Sequence, residues 1–136
     1  MTIEELLLEH EGVILHAYQD SLGYWTIGVG RLIDKKKGGG ISKEEAIYLL
    51  KNDIENVRAE LDEGLPWWRD APEKVQLVLQ DMCFNLGLNG LLQFKNTLAA
   101  IREGRWADAG VAMRSSKWAT QVPNRVKDLI DILEGD

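Results

Sequence analysis

The spacing of hydrophobic and polar residues predicts that the chain begins with a short helix. Thr2 and Glu5 have the spacing of a capping box, in which each side chain bonds the backbone N–H of the other residue. Three leucines follow, and Gly12 is a residue type that commonly ends helices. The pattern therefore predicts a helix over residues 3–11.

A β-hairpin is predicted next. Residues 15–32 are rich in Tyr, Trp, Thr, Ile and Val and are interrupted by glycines, and their turn is expected near residues 20–23. Three consecutive glycines at 38–40 predict a flexible connector after this hairpin.

Helical periodicity dominates the remainder of the chain. A second capping box, Ser42 and Glu45, predicts a helix over residues 43–62 with apolar positions at the i, i+3, i+4, i+7 rhythm. A helix over about 72–86 is apolar around much of its circumference, which predicts the central core helix, with Gly87 as its end. Shorter helices are predicted from the cap Asn96 to Arg102, over 106–115, and from Pro123 to about Glu134.

Composition and charge narrow the function classes. The 136 residues carry a net charge of −6, which disfavours nucleic-acid binding, since Lys and Arg must neutralise phosphates. The single cysteine, Cys83, excludes an internal disulfide and a cysteine-based metal site, and its apolar neighbours favour a buried thiol. The first residues are acidic and lack the basic start of a secretory signal, so the protein is expected in the cytoplasm of the cell that makes it.

Two carboxylates stand where the predicted helix meets the predicted hairpin. Glu11 ends the helix, Asp20 lies in the turn and Thr26 follows in a strand. Two carboxylates in different environments of one cleft are the minimal equipment for glycoside hydrolysis, one donating a proton and the other remaining ionised. From composition and spacing alone, two ordinary surface charges are the favoured interpretation, since the chain has 22 Asp and Glu residues.

A longer set of motifs resembles the T-even phage lysozymes, the muramidase endolysins of glycoside hydrolase family twenty-four. The resemblance covers nearly the whole chain in order, and its segments are Glu11-Gly12, Tyr18–Asp20, Gly23–Gly30, Ile41–Ala46, Phe84–Gly87, Phe94–Leu98, Arg105-Trp106 and Lys117–Arg125. It implies a lysozyme-like α+β fold of one domain, 1–136. In that fold a β-hairpin lobe (12–42) is joined by an interlobe helix (43–62) to a helical lobe (63–136 with 1–11).

The resemblance also implies an activity and three catalytic roles. The family hydrolyses the β-1,4 bond between N-acetylmuramic acid and N-acetylglucosamine in peptidoglycan, with inversion. Glu11 matches its general acid, and Asp20 and Thr26 match the carboxylate and the hydroxyl that direct the attacking water. Inversion requires carboxyl groups roughly 6.5–9.5 Å apart, so that a water fits between them.

Supporting residues follow from the same resemblance. Arg125 matches an arginine that pairs with the catalytic glutamate, although without the family it would be taken as a surface residue. Leu32, Phe84 and Thr97 match sugar-contacting positions, and simple core or rim packing is the alternative.

The chain departs from the family pattern in two places. Arg31 stands where the best-known member has a histidine paired with an aspartate, and Asp53 matches that aspartate, so an Arg31–Asp53 ion pair is predicted. The connection from Arg31 to Ser42 is short, which predicts a trimmed first lobe.

The implied partners are bacterial peptidoglycan and, because no export signal is expected, a membrane-permeabilising holin. A monomer is expected that acts from the host cytoplasm on periplasmic peptidoglycan, with no cofactor, metal, nucleic acid or membrane insertion. Two rival functions stay open: a lytic transglycosylase on the same scaffold, and a catalytically silent wall-binding or structural module. Trp67 and Trp68 are expected at the end of the long helix, and a glycan-binding role for an exposed pair is the alternative.

Overall fold

The computed structural model describes residues 1–33 and 40–135, and its backbone contacts divide the chain into two compact units. The first unit is Met1–Leu49 and the second is Leu50–Asp136. Residues 34–39, which include two of the three glycines of the predicted connector, lie outside the described residues.

The first helix has the predicted boundaries. Helix α1 spans Ile3–Glu11, and the Thr2 hydroxyl accepts a hydrogen bond from the Glu5 N–H at its start. At its end Gly12 adopts φ of 71°, and its N–H donates to the Leu8 carbonyl. Glycine reaches this left-handed conformation without a steric cost, so the helix ends directly after Glu11.

A small antiparallel sheet follows in the order β1-β2-β3, with strands Ile14–Gln19, Trp25–Gly28 and Arg31–Leu32. The predicted hairpin is confirmed as β1 and β2, and β3 adds a short third strand. Tyr18 pairs with Thr26, and the register shifts between Ile14 and Tyr18, so β1 is irregular in its first half.

Helix α2, Lys43–Gly64, begins at the predicted capping box. The Glu45 carboxylate accepts from the Ser42 N–H at 2.9 Å, and the Glu45 N–H donates to the Ser42 hydroxyl at 3.1 Å. The hydrogen bonds from Ser42 hold the pKa of Glu45 below its usual range, because they stabilise the ionised form.

The second unit is helical. Its helices are α3 (Glu73–Leu92), α4 (Lys95–Arg102), α5 (Trp106–Arg114), α6 (Lys117–Gln121) and α7 (Pro123–Glu134), and a 3-10 turn, Trp68–Asp70, precedes α3. Gly87 was predicted as the end of the core helix; it adopts φ of 75° and kinks the helix, which then resumes to Leu92. Asn96 is not the cap of α4, since Phe94 holds that position. Helix α6 and the 3-10 turn are too short to show a periodic pattern.

All the buried apolar side chains among the described residues belong to the second unit. Helix α3 supplies six of them, including Val75, Val78, Leu79 and Met82, each with no exposed surface. This confirms that α3 is the central core helix. In the described part of the first unit the one fully buried residue is Thr26, so that unit is held by hydrogen bonds and caps rather than by an apolar core.

The predicted α+β class is confirmed by the small sheet and the helical remainder. Among the described residues, no helix is both long enough and apolar enough to span a bilayer.

The end of α2 is tied to the 3-10 turn by one carboxylate. Asp62 accepts from the Trp68 indole N–H at 2.7 Å and from Arg69 Nε at 2.6 Å. The Arg69 hydrogen bond, aided by that of Trp68, holds the pKa of Asp62 below its ordinary value of 3.8. Trp68 is thereby locked in the core and Trp67 is left at its edge.

The lowered pKa predicts an acid-dependent loss of stability at Asp62. The Asp62 interactions stabilise the fold fully above pH 3.8 and are lost as the pH falls through the lower folded-state pKa. We expect Asp62→Asn to be less stable than the parent at pH 6 and the difference to shrink towards pH 2. Urea unfolding at a series of pH values measures this. A difference that is independent of pH would contradict the ionised role of Asp62.

Candidate active site

The Glu11 carboxylate lies directly against the turn between β2 and β3. A Cβ atom placed on Gly30 would stand 2.7 Å from Glu11 Oε2 and 2.8 Å from its Cδ, so a side chain at position 30 would occupy the space of the carboxylate. Gly30 also has φ of +63°, a conformation that favours glycine. The end of α1 and the sheet therefore meet at a contact that requires glycine.

Asp20 organises the turn between β1 and β2. Its Oδ1 accepts from the N–H groups of Leu22 and Tyr24, both at 2.9 Å, and its own N–H donates to the Tyr24 carbonyl at 2.8 Å. This is the Asx-type arrangement that makes aspartate a frequent turn residue. It holds the carboxylate in one orientation, and in the described part of the chain no donor bonds Oδ2.

Thr26 is 3% exposed and lies at the middle of the sheet, opposite Tyr18 on one side and Leu32 on the other. Its hydroxyl donates to the Tyr24 carbonyl at 3.1 Å. Asp20 comes directly after Gln19, the last residue of β1, and its N–H donates to the Tyr24 carbonyl, so it lies at the turn end of the hairpin, two positions beyond the Tyr18–Thr26 pair.

The first unit therefore contains all three predicted catalytic residues on adjoining elements. Asp20 lies at the β1–β2 turn, Thr26 lies on β2 two positions beyond Tyr24, and Glu11 contacts the turn that follows β2. Sequence reasoning did not identify Gly30 as a site residue. The signal that could have found it is the pair of glycines at the β2–β3 turn, Gly28 and Gly30, which both have positive φ.

The predicted sugar-contacting residues occupy separate surroundings. Leu32 is half-buried on β3 opposite Thr26. In the second unit, the exposed Phe84 lines a pocket of about 380 Å³, whereas the buried Thr97 lines a different pocket of about 680 Å³ beside Lys95 and Trp118. The structure does not place Phe84 and Thr97 in one pocket.

Arg125 is half-buried beside Phe84, and its Nε donates to Asp81 Oδ1 at 2.8 Å. Sequence reasoning missed Asp81, because it is 44 residues away and carries no motif. The bond to Asp81 uses Nε, so it orients the guanidinium while leaving other N–H groups as donors. The predicted pairing of Arg125 with Glu11 joins the two units and stays a prediction.

The predicted Arg31–Asp53 ion pair joins the two units and stays a prediction. Within the first unit, Arg31 pairs with Glu45, which lies in the first turn of α2. Asp53 is exposed and belongs to the second unit. Glu45 thus serves both the capping box and the Arg31 pair, and it fastens β3 to the start of α2.

Among residues 1–33 and 40–135, no group of three or more His, Cys, Asp and Glu side chains is placed to hold a metal ion.

The contact at Gly30 predicts a substitution that affects activity more than stability. In Gly30→Ala the new methyl displaces the Glu11 carboxylate, which is the far end of a flexible side chain and moves at little cost. We expect cell-wall lysis to fall at least tenfold, while the positive φ costs about 1 kcal/mol of stability. Gly28→Ala is the matched control, because its φ is also positive but no atom lies near its Cβ position. Equal losses of lysis in the two variants would show that only backbone strain matters.

Comparison with known proteins identifies the family. The Phage lysozyme family model matches residues 8–131. The probable T4-type lysozyme 1 of Dictyostelium discoideum is 29% identical over 160 aligned positions, covering 98% of this chain and 94% of that protein. At least 24 of those positions (160 − 136) are gaps in this chain, so it is shorter than this relative within the aligned region.

Two longer phage proteins match over only part of their own length. The pre-baseplate central spike protein Gp5 of Enterobacteria phage T4 is 28% identical over 98% of this chain and 28% of its own. The peptidoglycan hydrolase gp36 of Pseudomonas phage phiKMV is 29% identical over 91% of this chain and 14% of its own. With 124 residues (131 − 8 + 1) matched by the family model, the chain belongs to the phage lysozyme family and is a lysozyme-type cell-wall hydrolase.

Proposed function

We propose that this chain is an inverting endolysin that hydrolyses the β-1,4 bond between N-acetylmuramic acid and N-acetylglucosamine. The observation that carries the proposal is the contact of the Glu11 carboxylate with Gly30, in the turn that follows the strand of Thr26, in the same sheet whose first turn holds Asp20. Family membership supports the substrate class, since an endolysin and a peptidoglycan hydrolase are among its relatives.

Glu11 is the proposed general acid. It stands exposed at the end of α1, where its carboxyl group is accessible to the oxygen of a bound glycan. Donation of its proton to the glycosidic oxygen lets the leaving sugar depart as a neutral hydroxyl. Gly30 and the helix end limit where that carboxyl group can lie, which positions the proton.

Asp20 and Thr26 are proposed to hold the attacking water. Because the Thr26 hydrogen is used on the Tyr24 carbonyl, the hydroxyl oxygen presents lone pairs that accept a hydrogen bond from water. Asp20 is anchored through Oδ1, so Oδ2 is the atom that accepts the water proton. Water held by these two groups attacks the anomeric carbon from the side opposite the leaving oxygen. The attack inverts the configuration of that carbon.

The remaining roles belong to the same proposal. Arg125, oriented by Asp81, pairs with Glu11 and positions it, and Leu32, Phe84 and Thr97 contact the sugars. The enzyme acts as a monomer from the host cytoplasm and reaches periplasmic peptidoglycan after a holin has permeabilised the inner membrane.

The proposal predicts that Glu11→Gln abolishes lysis. In a turbidity assay on Gram-negative cells with a permeabilised outer membrane, we expect the rate to fall by roughly two to four orders of magnitude, the usual contribution of a general acid. Glu9→Gln, an exposed glutamate on the same helix, is the matched control and should clear cells at the parent rate. Clearing by Glu11→Gln at the parent rate would overturn the mechanism.

The products of the same digestion distinguish the rival functions. Hydrolysis with inversion yields reducing ends that are initially the α anomer, as NMR detects. Products with 1,6-anhydro ends would instead identify a lytic transglycosylase, and undigested wall would identify a silent binding module. Cells that express the parent chain should clear only after their inner membrane is permeabilised.

A second prediction separates the structural role of Asp20 from its charge. Asp20→Asn keeps an oxygen that can accept from Leu22 and Tyr24, so the turn and the melting temperature are retained. We expect Asp20→Asn to lose at least 100-fold in lysis rate. Asp20→Ala should lose activity and also about 1–2 kcal/mol of stability, since two amide donors lose their acceptor. Full activity in Asp20→Asn would reduce Asp20 to a turn residue.

A further inference from the structure

A groove of about 390 Å³ lies on the second unit, between the 3-10 turn and the connection from α4 to α5. Trp67 and Trp106 line it, together with the side chains of Asp70, Arg102 and Glu103. None of these residues belongs to the proposed catalytic machinery. The volume falls in the range of small-ligand sites, about 300–1,000 Å³.

The two tryptophans are held in place by cations. The Arg102 guanidinium lies 5.5 Å from the centre of the Trp67 ring, and Lys74 Nζ lies 4.5 Å from that of Trp106. Lys74 is itself fixed, since it donates to the carbonyls of Leu133 and Gly135 at 2.8 and 2.9 Å. Both rings are half-buried against the core, so little freedom is lost when a ligand packs on them.

The polar groups of the groove match a neutral, hydroxyl-rich ligand. Six of the seven arginines have a carboxylate partner within the described part of the chain, and Arg102 is the seventh. Arg102 therefore has donors for hydroxyl or acetamido oxygens, while Asp70 and Glu103 offer acceptors for hydroxyl groups. Glu103 is itself paired with Arg105 at 2.6 Å, which leaves Asp70 opposite Arg102, and a groove without an excess charge of either sign favours a neutral ligand.

We propose that this groove is an accessory saccharide-binding site that holds one or two N-acetylated sugars of a glycan strand, apart from the strand's cleavage site. The C–H face of a pyranose ring packs on an indole ring, and its equatorial hydroxyls bond the flanking carboxylates and guanidinium. The proposal rests on the proposed function for the identity of the polymer. It places Trp67 and Trp106 as the stacking residues and Arg102 as the orienting donor.

Such a site would hold the protein on its substrate despite its net charge of −6. The bacterial wall is anionic, so long-range attraction does not retain this protein on its substrate. Stacking of uncharged sugar faces on tryptophan is insensitive to charge, and it keeps the enzyme on the polymer between cleavage events.

The test is a titration of the 15N-labelled Glu11→Gln variant with N-acetylglucosamine oligomers, followed by NMR. The five tryptophans give separate indole N–H signals, of which Trp25, on the strand of Thr26, and Trp118, in the pocket of Thr97, report on the proposed catalytic cleft instead of the groove. We expect the Trp67 and Trp106 signals to move together and to saturate with one dissociation constant. Movement of Trp25 or Trp118 alone would overturn the groove as the binding site.

Variants in the same Glu11→Gln background check the stacking. Trp67→Leu should weaken oligomer binding about tenfold, which is the loss of about 1.4 kcal/mol of stacking, whereas Trp67→Tyr should restore most of it. Val111→Ala, at an exposed apolar position outside the groove, is the matched control and should bind as the parent does. Equal binding by Trp67→Leu and the parent would refute the site.

A final pair of measurements separates this proposal from the proposed function. In the catalytically intact chain, Trp67→Leu should slow digestion of insoluble wall while leaving the turnover of short soluble fragments unchanged. Sedimentation with purified peptidoglycan should show binding that persists when salt is raised. Binding lost at high salt would identify an electrostatic hold on charged wall components and would overturn the neutral-saccharide assignment. Because the NMR titration needs no turnover, it stands even where the assigned roles of Glu11 and Asp20 fail.

Discussion

The candidate site depends on the two hydrogen bonds that Asp20 Oδ1 accepts from the turn between β1 and β2. They close the hairpin, and the hairpin in turn sets the register that places Thr26 opposite Tyr18 and brings Gly30 to the turn beneath Glu11. The same carboxylate is thus a structural acceptor through one oxygen and the proposed base through the other. Because Asp20 has both roles, the position of the proposed base depends on the correct folding of the β1–β2 turn.

The two units differ in what stabilises them. The second unit has a core around α3 in which Leu79 and Met82 are fully buried, whereas the described part of the first unit buries Thr26 alone. Caps, the sheet and the Arg31–Glu45 pair hold the first unit, and each contributes only modestly in water. The catalytic candidates therefore lie in the segment with the lower expected resistance to local opening, a common location for functional elements.

Local signals account for most of what the sequence could predict about the fold. The ends of α1, the start of α2 and the start of α7 are encoded by caps, glycine and proline within a few residues, and those boundaries agree with prediction. Gly87 has the positive φ expected of a helix end, but the residues after it are helical again, so α3 continues to Leu92. Short elements such as α6 carry too few residues for a periodic signal.

Pairings between distant residues were harder to predict. The positions of Glu11, Asp20 and Thr26 could be read from the sequence through the family resemblance, whereas the contact with Gly30 could not, because it depends on the angle at which α1 meets the sheet. Arg31 illustrates the same limit. Its partner Glu45 is recognisable in the sequence as the second residue of a capping box, but nothing in that motif indicates that its carboxylate also pairs with Arg31.

The use of arginine in this chain connects its charge to its function. Six of the seven arginines pair with carboxylates within the described residues, so these six present little net positive charge to an anionic polymer. Ion pairs of this kind orient side chains more than they stabilise the fold, as the Asp81–Arg125 bond shows beside Phe84. An enzyme built in this way must recognise its substrate by shape and by uncharged contacts, and the aromatic groove at Trp67 and Trp106 has the chemistry for that task.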